Sequence, residues 1–325
     1  MKNGWRGLAI SVALSTVGYL GFSLWGGWHE VTAAIARVGW TGTAVMLGLS
    51  GLNYLIRFWR WQVYLSCLGH RVAWRPSLVI YLSGFALTTT PGKAGEAIRS
   101  LFLKPHGVGY GESMAAFFSE RLSDLLAIVL LATLGLSRYP SAWPLLLAGG
   151  GAVAGLLLLL SHVQWLRRLE AKSQAGKGKA ARVIHGVSVL LIAARQCHTP
   201  RVLTIATLLS LTAWMAEALA FHFMLDWLGL QVDFAFAVFV YAAAMLAGAL
   251  SFLPGGLGGA EATMVSLLLW SGQPQAPAVA ATVLIRLTTL WFAVALGLLA
   301  LGGLLRKRPM ALADDAPGEP RSAAG

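Results

Sequence analysis

Charged residues are scarce in this chain, and acidic residues are the scarcest. Of 325 residues only 12% are charged, with 13 Asp and Glu against 25 Lys and Arg, while 57% are hydrophobic. Together with a mean hydropathy of +0.68, so little charge excludes an ordinary water-soluble domain and is typical of a polytopic helical membrane protein. No long polar segment remains that could fold as a separate soluble domain.

Motifs of metal, nucleotide and serine chemistry are also missing. The two cysteines, Cys67 and Cys197, have a spacing that fits neither a disulfide framework nor a metal site. The sequence has no nucleotide-binding P-loop and no Gly-x-Ser-x-Gly elbow. We therefore expect a protein that is not an enzyme and that uses no metal or cofactor. Any transport would be passive or driven by an ion or lipid gradient.

Long apolar runs are the dominant feature of the sequence. Six of them can cross about 30 Å of hydrocarbon as helices: residues 7–25, 40–56, 114–136, 143–161, 202–228 and 278–304. Two further apolar segments, residues 77–103 and 234–270, are interrupted by Pro-Gly. Each can fold as a re-entrant hairpin, although the second is ambiguous because residues 234–253 could cross the membrane alone.

The positions of Lys and Arg predict the orientation. With the N-terminus in the cytoplasm, 19 of the 25 Lys and Arg lie on the cytoplasmic side, including Arg57 and Arg60 just after the second span. Only Arg37 and Arg138 lie outside, and this bias predicts a multi-pass protein of the bacterial inner membrane with both termini cytoplasmic. It also accounts for the net charge of +12 without nucleic acid as a partner. Four cations fall within membrane segments: Lys93, Arg99, Arg121 and Arg286.

The order of the segments predicts an inverted repeat. Residues 1–308 form one integral membrane domain whose halves, about 1–137 and 141–305, each run span, span, hairpin, span. The two hairpins open to opposite sides of the membrane, unless Pro-Gly merely kinks ordinary spans. A basic cytoplasmic connector, residues 162–201, contains a flexible loop at 171–181 and an amphipathic helix at 183–194. Residues 309–325 are predicted to be a disordered tail.

The two breaks are the first part of the candidate site. Irregular backbone survives at membrane depth only where protein or a water-filled cavity satisfies its polar groups, so matching breaks indicate a binding site. A helix that begins after a break points unpaired amides toward it, which suits an anion such as phosphate. Glu96 and Glu261 lie in these first turns and can equally be simple helix caps. The break residues are Pro91, Gly92, Gly95, Pro254, Gly255, Gly256 and Gly258.

Charged residues within the spans are the second part of the candidate site. Inserting each one at the centre of a membrane helix costs about 2.5–3.5 kcal/mol, so such residues usually have a function. Glu96 lies three positions before Arg99, so the two share a helix face. Arg121 and Asp124 have the same spacing. The candidate substrate-binding residues are Lys93, Glu96, Arg99, Glu120, Arg121, Asp124, Glu217, Glu261 and Arg286.

A phosphate group is the ligand that this set favours. We expect Arg99, Arg121 and Arg286 to hold it, because the planar guanidinium matches phosphate oxygens, and Lys93 to assist. The carboxylates would pair with these cations or exchange protons when the phosphate is absent. Structural ion pairs without any ligand are the alternative interpretation.

Taken in order, these motifs resemble the flippase-like transmembrane region of the lysylphosphatidylglycerol synthase family. The resemblance rests on residues 57–61, Gly69, residues 90–96 with Arg99, residues 120–124, and residues 254–258 with Glu261 and Arg286. It implies movement of a lipid with a charged or phosphorylated headgroup between leaflets. The synthases carry a large soluble aminoacyl transferase domain after this region, which is not found here, so lipid aminoacylation is not expected.

A lipid flippase or transporter is therefore the predicted function, with a membrane lipid as its partner. One alternative is a non-transporting scaffold for an enzyme of lipid or envelope synthesis. It predicts that charge-neutral substitutions of Glu96, Arg121 and Glu261 leave the pathway intact. A polyprenyl-phosphate-dependent glycosyltransferase is a further alternative, supported only by Glu30 in the first outer loop.

Overall fold

The fold is known from a computed structural model that describes residues 21, 28–90, 96–135, 139–176, 178–251 and 253–314. Throughout these ranges the ordered elements are helices, and no β-strand occurs in them. Apart from Gly21, the first predicted span, residues 7–25, lies outside the described residues, as do Pro91, Gly92, Lys93 and Gly95. Residues 315–325 of the predicted tail lie outside them as well.

Twelve α-helices are assigned in the described ranges. They are α1 (Trp28–Cys67), α2 (Trp74–Phe85), α3 (Arg99–Leu103), α4 (Tyr110–Ala132), α5 (Trp143–Ser161), α6 (Val163–Ala175), α7 (Lys179–Gln196), α8 (Pro200–Trp227), α9 (Phe234–Leu250), α10 (Gly259–Trp270), α11 (Gln275–Arg286) and α12 (Phe292–Asp314). A π-helical turn, Leu287–Trp291, joins α11 to α12.

Among the residues that the structure describes, three stretches are long and apolar enough to cross a membrane: Trp143–Ser161, Pro200–Trp227 and Gln275–Arg306. They coincide with three of the predicted spans. Helices α1 and α4 are also long, at 40 and 23 residues, but each carries charged side chains in its middle. The chain is thus an all-helical protein with several membrane-crossing helices.

Helix α1 bends at Gly39, where φ is 63°, a value that glycine adopts without steric cost. After the bend the helix runs from Trp40 to Cys67 without a further break. Arg57 and Arg60 therefore lie inside α1, and both are buried. The predicted end of the second span at residue 56 was wrong, because the helix continues past the first charge that follows the apolar run.

Helices α1 and α8 end in the same kind of turn. Gly69 follows α1 with φ 87°, and Gly229 follows α8 with φ 75°, the left-handed conformation typical of glycine after a helix. The amide of the next residue donates back to a carbonyl five positions earlier in each case, His70 to Leu65 and Leu230 to Leu225. These turns lead directly into α2 and α9.

The second predicted break divides its segment into two helices that pack against each other. Helix α9 ends at Leu250 and α10 begins at Gly259. They approach closely at Gly248, where a Cβ would lie 3.2 Å from Ala260 Cβ and 3.3 Å from the Gly256 carbonyl oxygen. Three glycines in the break have positive φ: Gly255, Gly256 and Gly258. In the first half, α2 packs against the short helix α3.

The connector differs from its prediction. Helices α6 and α7 occupy most of it and pack against each other, so the predicted flexible loop at 171–181 is helical except around Gly176 and Gly178. Alanine, lysine and glutamine are good helix formers, which explains the difference. The predicted amphipathic helix lies within α7, which buries Leu191 and Ala194 and packs against α4.

Candidate functional site

A network of buried ion pairs surrounds Asp124 on α4. Arg57 Nη2 lies 3.0 Å from Asp124 Oδ2, and Arg60 Nη1 lies 2.6 Å from Asp124 Oδ1. Arg121 adds a contact at 3.2 Å, one helical turn away. Trp214 of α8 donates its indole N–H to Asp124 Oδ1 at 3.1 Å. One carboxylate therefore joins α1, α4 and α8.

Two further carboxylates, Glu96 and Glu120, form ion pairs that connect the first broken segment to α4. Arg99 Nη2 lies 2.9 Å from Glu120 Oε2 and 3.3 Å from Glu96 Oε2. Arg121 Nη2 lies 3.6 Å from Glu96 Oε2, and the hydroxyl of Thr88 donates to Glu96 Oε1 at 2.7 Å. The predicted three-residue pairings of Glu96 with Arg99 and of Arg121 with Asp124 are both observed. The five-residue helix α3 is held to α4 by these charges.

The second break has an ion pair of its own. Arg286 Nε lies 2.7 Å from Glu261 Oε1, and Arg286 Nη2 donates to the Gly255 carbonyl at 2.8 Å. Glu261 Oε2 also accepts the Gly258 amide at 2.7 Å. Glu261 thus caps α10 and pairs with Arg286 at once, and the guanidinium ties the irregular backbone to α11.

A cavity lies between residues of the first and the second half of the chain. Four charged side chains reach it, and the rest of its wall is aromatic, apolar or hydroxyl-bearing. Its lining consists of Tyr54, Arg57, Phe85, Thr88, Glu96, Trp214, Glu217, Tyr241, Met245, Arg286, Thr289, Leu290 and Ala293.

The predicted site residues divide into two groups around this cavity. Glu96, Glu217 and Arg286 line it directly. The other described members belong to the ion pairs described above: Arg99, Glu120, Arg121, Asp124 and Glu261. Lys93 lies outside the described residues.

Arg57 is the charged cavity residue that the sequence interpretation missed as a site residue. Its Nη2 is engaged by Asp124, and its guanidinium lies 5.5 Å from the Trp214 ring centroid. Its Nε is buried and finds no hydrogen-bond partner within the described ranges. Arg57 and Arg60 have the three-residue spacing of the other buried pairs, which is the signal that could have identified them.

Two aromatic donors that line the cavity also join its walls. The Tyr54 hydroxyl donates to the Thr289 carbonyl at 2.5 Å. Thr289 belongs to the π-helical turn, whose wider winding often occurs at functional sites. On the other side, Trp214 reaches Asp124, as described above. Neither residue was singled out from the sequence, because an aromatic side chain in an apolar run gives no local signal.

Glu217 lies on α8 and is buried. The hydroxyl of Tyr241, on α9, donates to Glu217 Oε2 at 2.6 Å. Both residues line the cavity. Helices α8 and α9 thus place a carboxylate and a phenol on the wall supplied by the second half of the chain.

The helices and the charged cavity define a polytopic helical membrane protein with a polar interior site. The chain belongs to the family of the lysylphosphatidylglycerol synthase TM region, whose model matches residues 7–297. The predicted family resemblance is confirmed.

Two curated relatives are similar along most of their length. A UPF0104 membrane protein of Methanothermobacter thermautotrophicus is 24% identical over 303 residues, which cover 88% of this chain and 90% of the relative. A UPF0104 membrane protein of Pyrococcus horikoshii is 25% identical over 278 residues, covering 76% and 82%. Their names identify membrane proteins and state no activity.

Proposed function

We propose that this protein moves a lipid with a phosphate-bearing or otherwise charged headgroup between the leaflets of its membrane. The observation that carries the proposal is the cavity between the halves, with Arg57 on one wall and Arg286 on another. Buried cations in a membrane protein are costly and usually serve a substrate or ion pathway. Arginine's planar fork matches phosphate oxygens. The acyl chains would remain in the surrounding lipid.

The proposal revises the predicted set of phosphate ligands. Arg99 and Arg121 were expected to hold the headgroup, but they contact Glu96, Glu120 and Asp124. We assign them to fixing the broken segment and its carboxylates. Arg57 and Arg286 are the arginines among the lining residues of the cavity, so they are proposed to contact the phosphate.

We also propose that the halves form an inverted repeat of six spans and two broken hairpins. In this repeat, each residue of α1 corresponds to the residue of α8 that lies 160 positions later in the chain. Asn53 and Ala213 are one such pair. The glycine turns after α1 and α8, at Gly69 and Gly229, have the same separation. Asn53 Nδ2 donates to the Ala213 carbonyl at 2.8 Å. In the proposed repeat these two residues are equivalent, and residues related by a two-fold axis contact each other only close to that axis.

The direction of α1 relative to α8 supports inversion. As residue numbers rise along α1, the residues contacted on α8 fall, so the two helices run antiparallel. Three hydrogen bonds establish this register: Arg37 to Leu228, Asn53 to Ala213, and Arg60 to Ser210.

Ion pairs and aromatic contacts repeat across the halves as well. Glu96 and Arg121 are 25 positions apart, and so are Glu261 and Arg286. Helix packing is reciprocal, with α2 against α12 and α9 against α4. The two aromatic hydrogen bonds occupy corresponding places: Tyr54 to Thr289, and Trp214 to Asp124. Inverted repeats that meet at discontinuous helices are a recurrent plan of alternating-access transporters.

Reconstitution in liposomes tests the proposed transport. We expect the wild-type protein to move fluorescent phospholipids or polyprenyl phosphates between leaflets, and Arg57→Gln and Arg286→Gln to slow this by about tenfold or more, since each removes a charged contact. Arg195→Gln on α7 is the matched control, because Arg195 is exposed, and it should behave as wild type. Equal rates for all four folded proteins would contradict the proposed site and favour the scaffold alternative.

We place the protein in a bacterial inner membrane with both termini in the cytoplasm. The exposed cations of the connector support a cytoplasmic location for the connector, because cytoplasmic loops are rich in Lys and Arg. They are Arg167, Arg168, Lys172, Lys179, Arg182, Arg195 and Arg201.

Cysteine labelling tests this orientation. Cys197 gives little background with maleimide, because burial raises the pKa of its thiol to about 12 and the thiolate is the reactive form. In a Cys67→Ser background, Ser141→Cys should react in intact spheroplasts. Lys172→Cys should react only after permeabilisation. Both positions are exposed, and the reverse pattern would contradict the orientation.

A further inference from the structure

We infer that the first half of α7 is a docking surface for anionic lipid, separate from the cavity. This α7 surface consists of the exposed apolar residues Val183, Ile184 and Val187, with the cations Lys179 and Arg182 beside them. It binds the headgroups of the bilayer next to the protein and inserts its apolar side chains below them. The inference goes beyond the proposed transport and does not depend on it.

The connector that contains α7 lies at one surface of the membrane. It joins Trp143–Ser161 to Pro200–Trp227, two stretches long and apolar enough to cross, so it begins and ends on the same side. Helix α7 lies beside the first turn of α4, because a Cβ on Gly111 would come within 3.9 Å of Val189 Cγ1. Trp165 of α6 follows the end of α5 by four residues and is 53% exposed, and tryptophan is enriched at membrane–water interfaces.

One apolar face runs along α7, but protein covers only its second half. Val183, Val187, Leu191 and Ala194 share this face, because they follow one another at intervals of three or four residues. Leu191 and Ala194 are buried in the same cluster as Ala115 of α4, whereas Val183 is 64% and Val187 is 49% exposed. Since the covered half of the face points at the membrane helices, the exposed half points at the lipid around them.

The charge of the connector determines the kind of lipid. Helices α6 and α7 together contain six basic residues and one acidic residue, Glu170, which gives a net charge of +5. Lys179 and Arg182 are exposed and come just before the exposed apolar residues. Their long side chains can reach headgroup phosphates while Val183 and Val187 enter the edge of the hydrocarbon. This pairing of cations with an apolar face fits an anionic bilayer surface.

Spin labels on the full-length protein in nanodiscs test whether the α7 surface inserts. In the Cys67→Ser background, a nitroxide is attached at Val183→Cys or, as the matched control, at Gln196→Cys. Gln196 is exposed at the end of the same helix and lies on the side opposite Val183. In discs that contain phosphatidylglycerol, we expect collisions with a water-soluble nickel complex to be about threefold or more rarer for the label at 183 than for the label at 196.

Lipid composition and protein charge test whether the surface recognises anionic headgroups. We expect the label at 183 to become about threefold or more accessible to the nickel complex in discs of phosphatidylcholine alone. The double variant Lys179→Gln, Arg182→Gln should have the same effect in phosphatidylglycerol discs. Its matched control is Arg71→Gln, Lys104→Gln, which removes two exposed cations outside the connector and should leave the label shielded.

Three results would overturn the inference. Equal access of the nickel complex to the labels at 183 and 196 in anionic discs would show that the apolar residues face water or a protein partner. Equal shielding in phosphatidylglycerol and phosphatidylcholine would show insertion without recognition of charge. Equal effects of the two double variants would show attraction to the protein as a whole. None of these results bears on transport through the cavity, so the proposed function stands or falls separately.

Discussion

Replacing Asp124 by alanine is expected to lower the free energy of unfolding by about 3–5 kcal/mol, because it leaves buried charges without their partner. Arg57 and Arg60 are 5% and 0% exposed, and both have hydrogen bonds to this carboxylate. Trp214 would lose its acceptor as well. The change should appear as a large drop in the midpoint of thermal or denaturant unfolding of the purified protein in detergent.

A surface aspartate provides the comparison for this prediction. Asp226 lies near the end of α8, is 51% exposed and lies 3.5 Å from His222. Asp226→Ala should change the free energy of unfolding by less than about 0.5 kcal/mol. Asp124→Asn keeps the shape of the side chain, so its loss of unfolding free energy should lie between those of Asp124→Ala and Asp226→Ala. Equal midpoints for Asp124→Ala and Asp226→Ala would mean that the ion-pair network contributes little to stability.

Replacing Gly297 by alanine is expected to force α12 away from the end of α2. A Cβ at this position would overlap the backbone nitrogen of Ala86 and the carbonyl carbon of Phe85. Backbone atoms cannot move aside as a side chain can, so we expect a loss of about 3 kcal/mol or more, at the upper end of overpacking effects. Phe85 and Ala293 line the cavity, and lipid transport should fall together with stability.

Gly302, on the same helix, is the matched control. A Cβ there meets no atom within 4 Å, and alanine favours a helix by about 1 kcal/mol over glycine. Gly302→Ala should therefore be as stable as wild type or slightly more stable. If Gly297→Ala has the same unfolding midpoint as Gly302→Ala, the close packing of α2 on α12 is contradicted.

Local patterns were sufficient for much of the helical layout and for the short-range charge pairs. The predicted span 143–161 coincides with α5, because its apolar residues are bounded by turns on both sides. Glu96 and Arg99 pair as predicted, since a three-residue spacing on a helix brings side chains together whatever the tertiary fold. Such features depend on neighbours along the chain.

Contacts between distant segments were not predictable in this way. Arg57 and Arg60 meet Asp124 across 67 and 64 positions, and without that partner each looked like a loop charge. Tyr54 reaches a carbonyl 235 positions away. The cavity itself exists only where α1, α8, α9 and the π-helical turn meet. Its aromatic residues therefore needed the three-dimensional structure to be recognised.

Arg57 and Glu217 have the 160-residue separation that relates α1 to α8 in the proposed repeat, yet one is a cation and the other an anion. If the two halves exchange conformations during transport, the state open to one leaflet is not the mirror of the state open to the other. Their energies then differ, and so does their affinity for a polar ligand. In the proposed transport cycle, this pair of unlike residues would therefore favour one resting side.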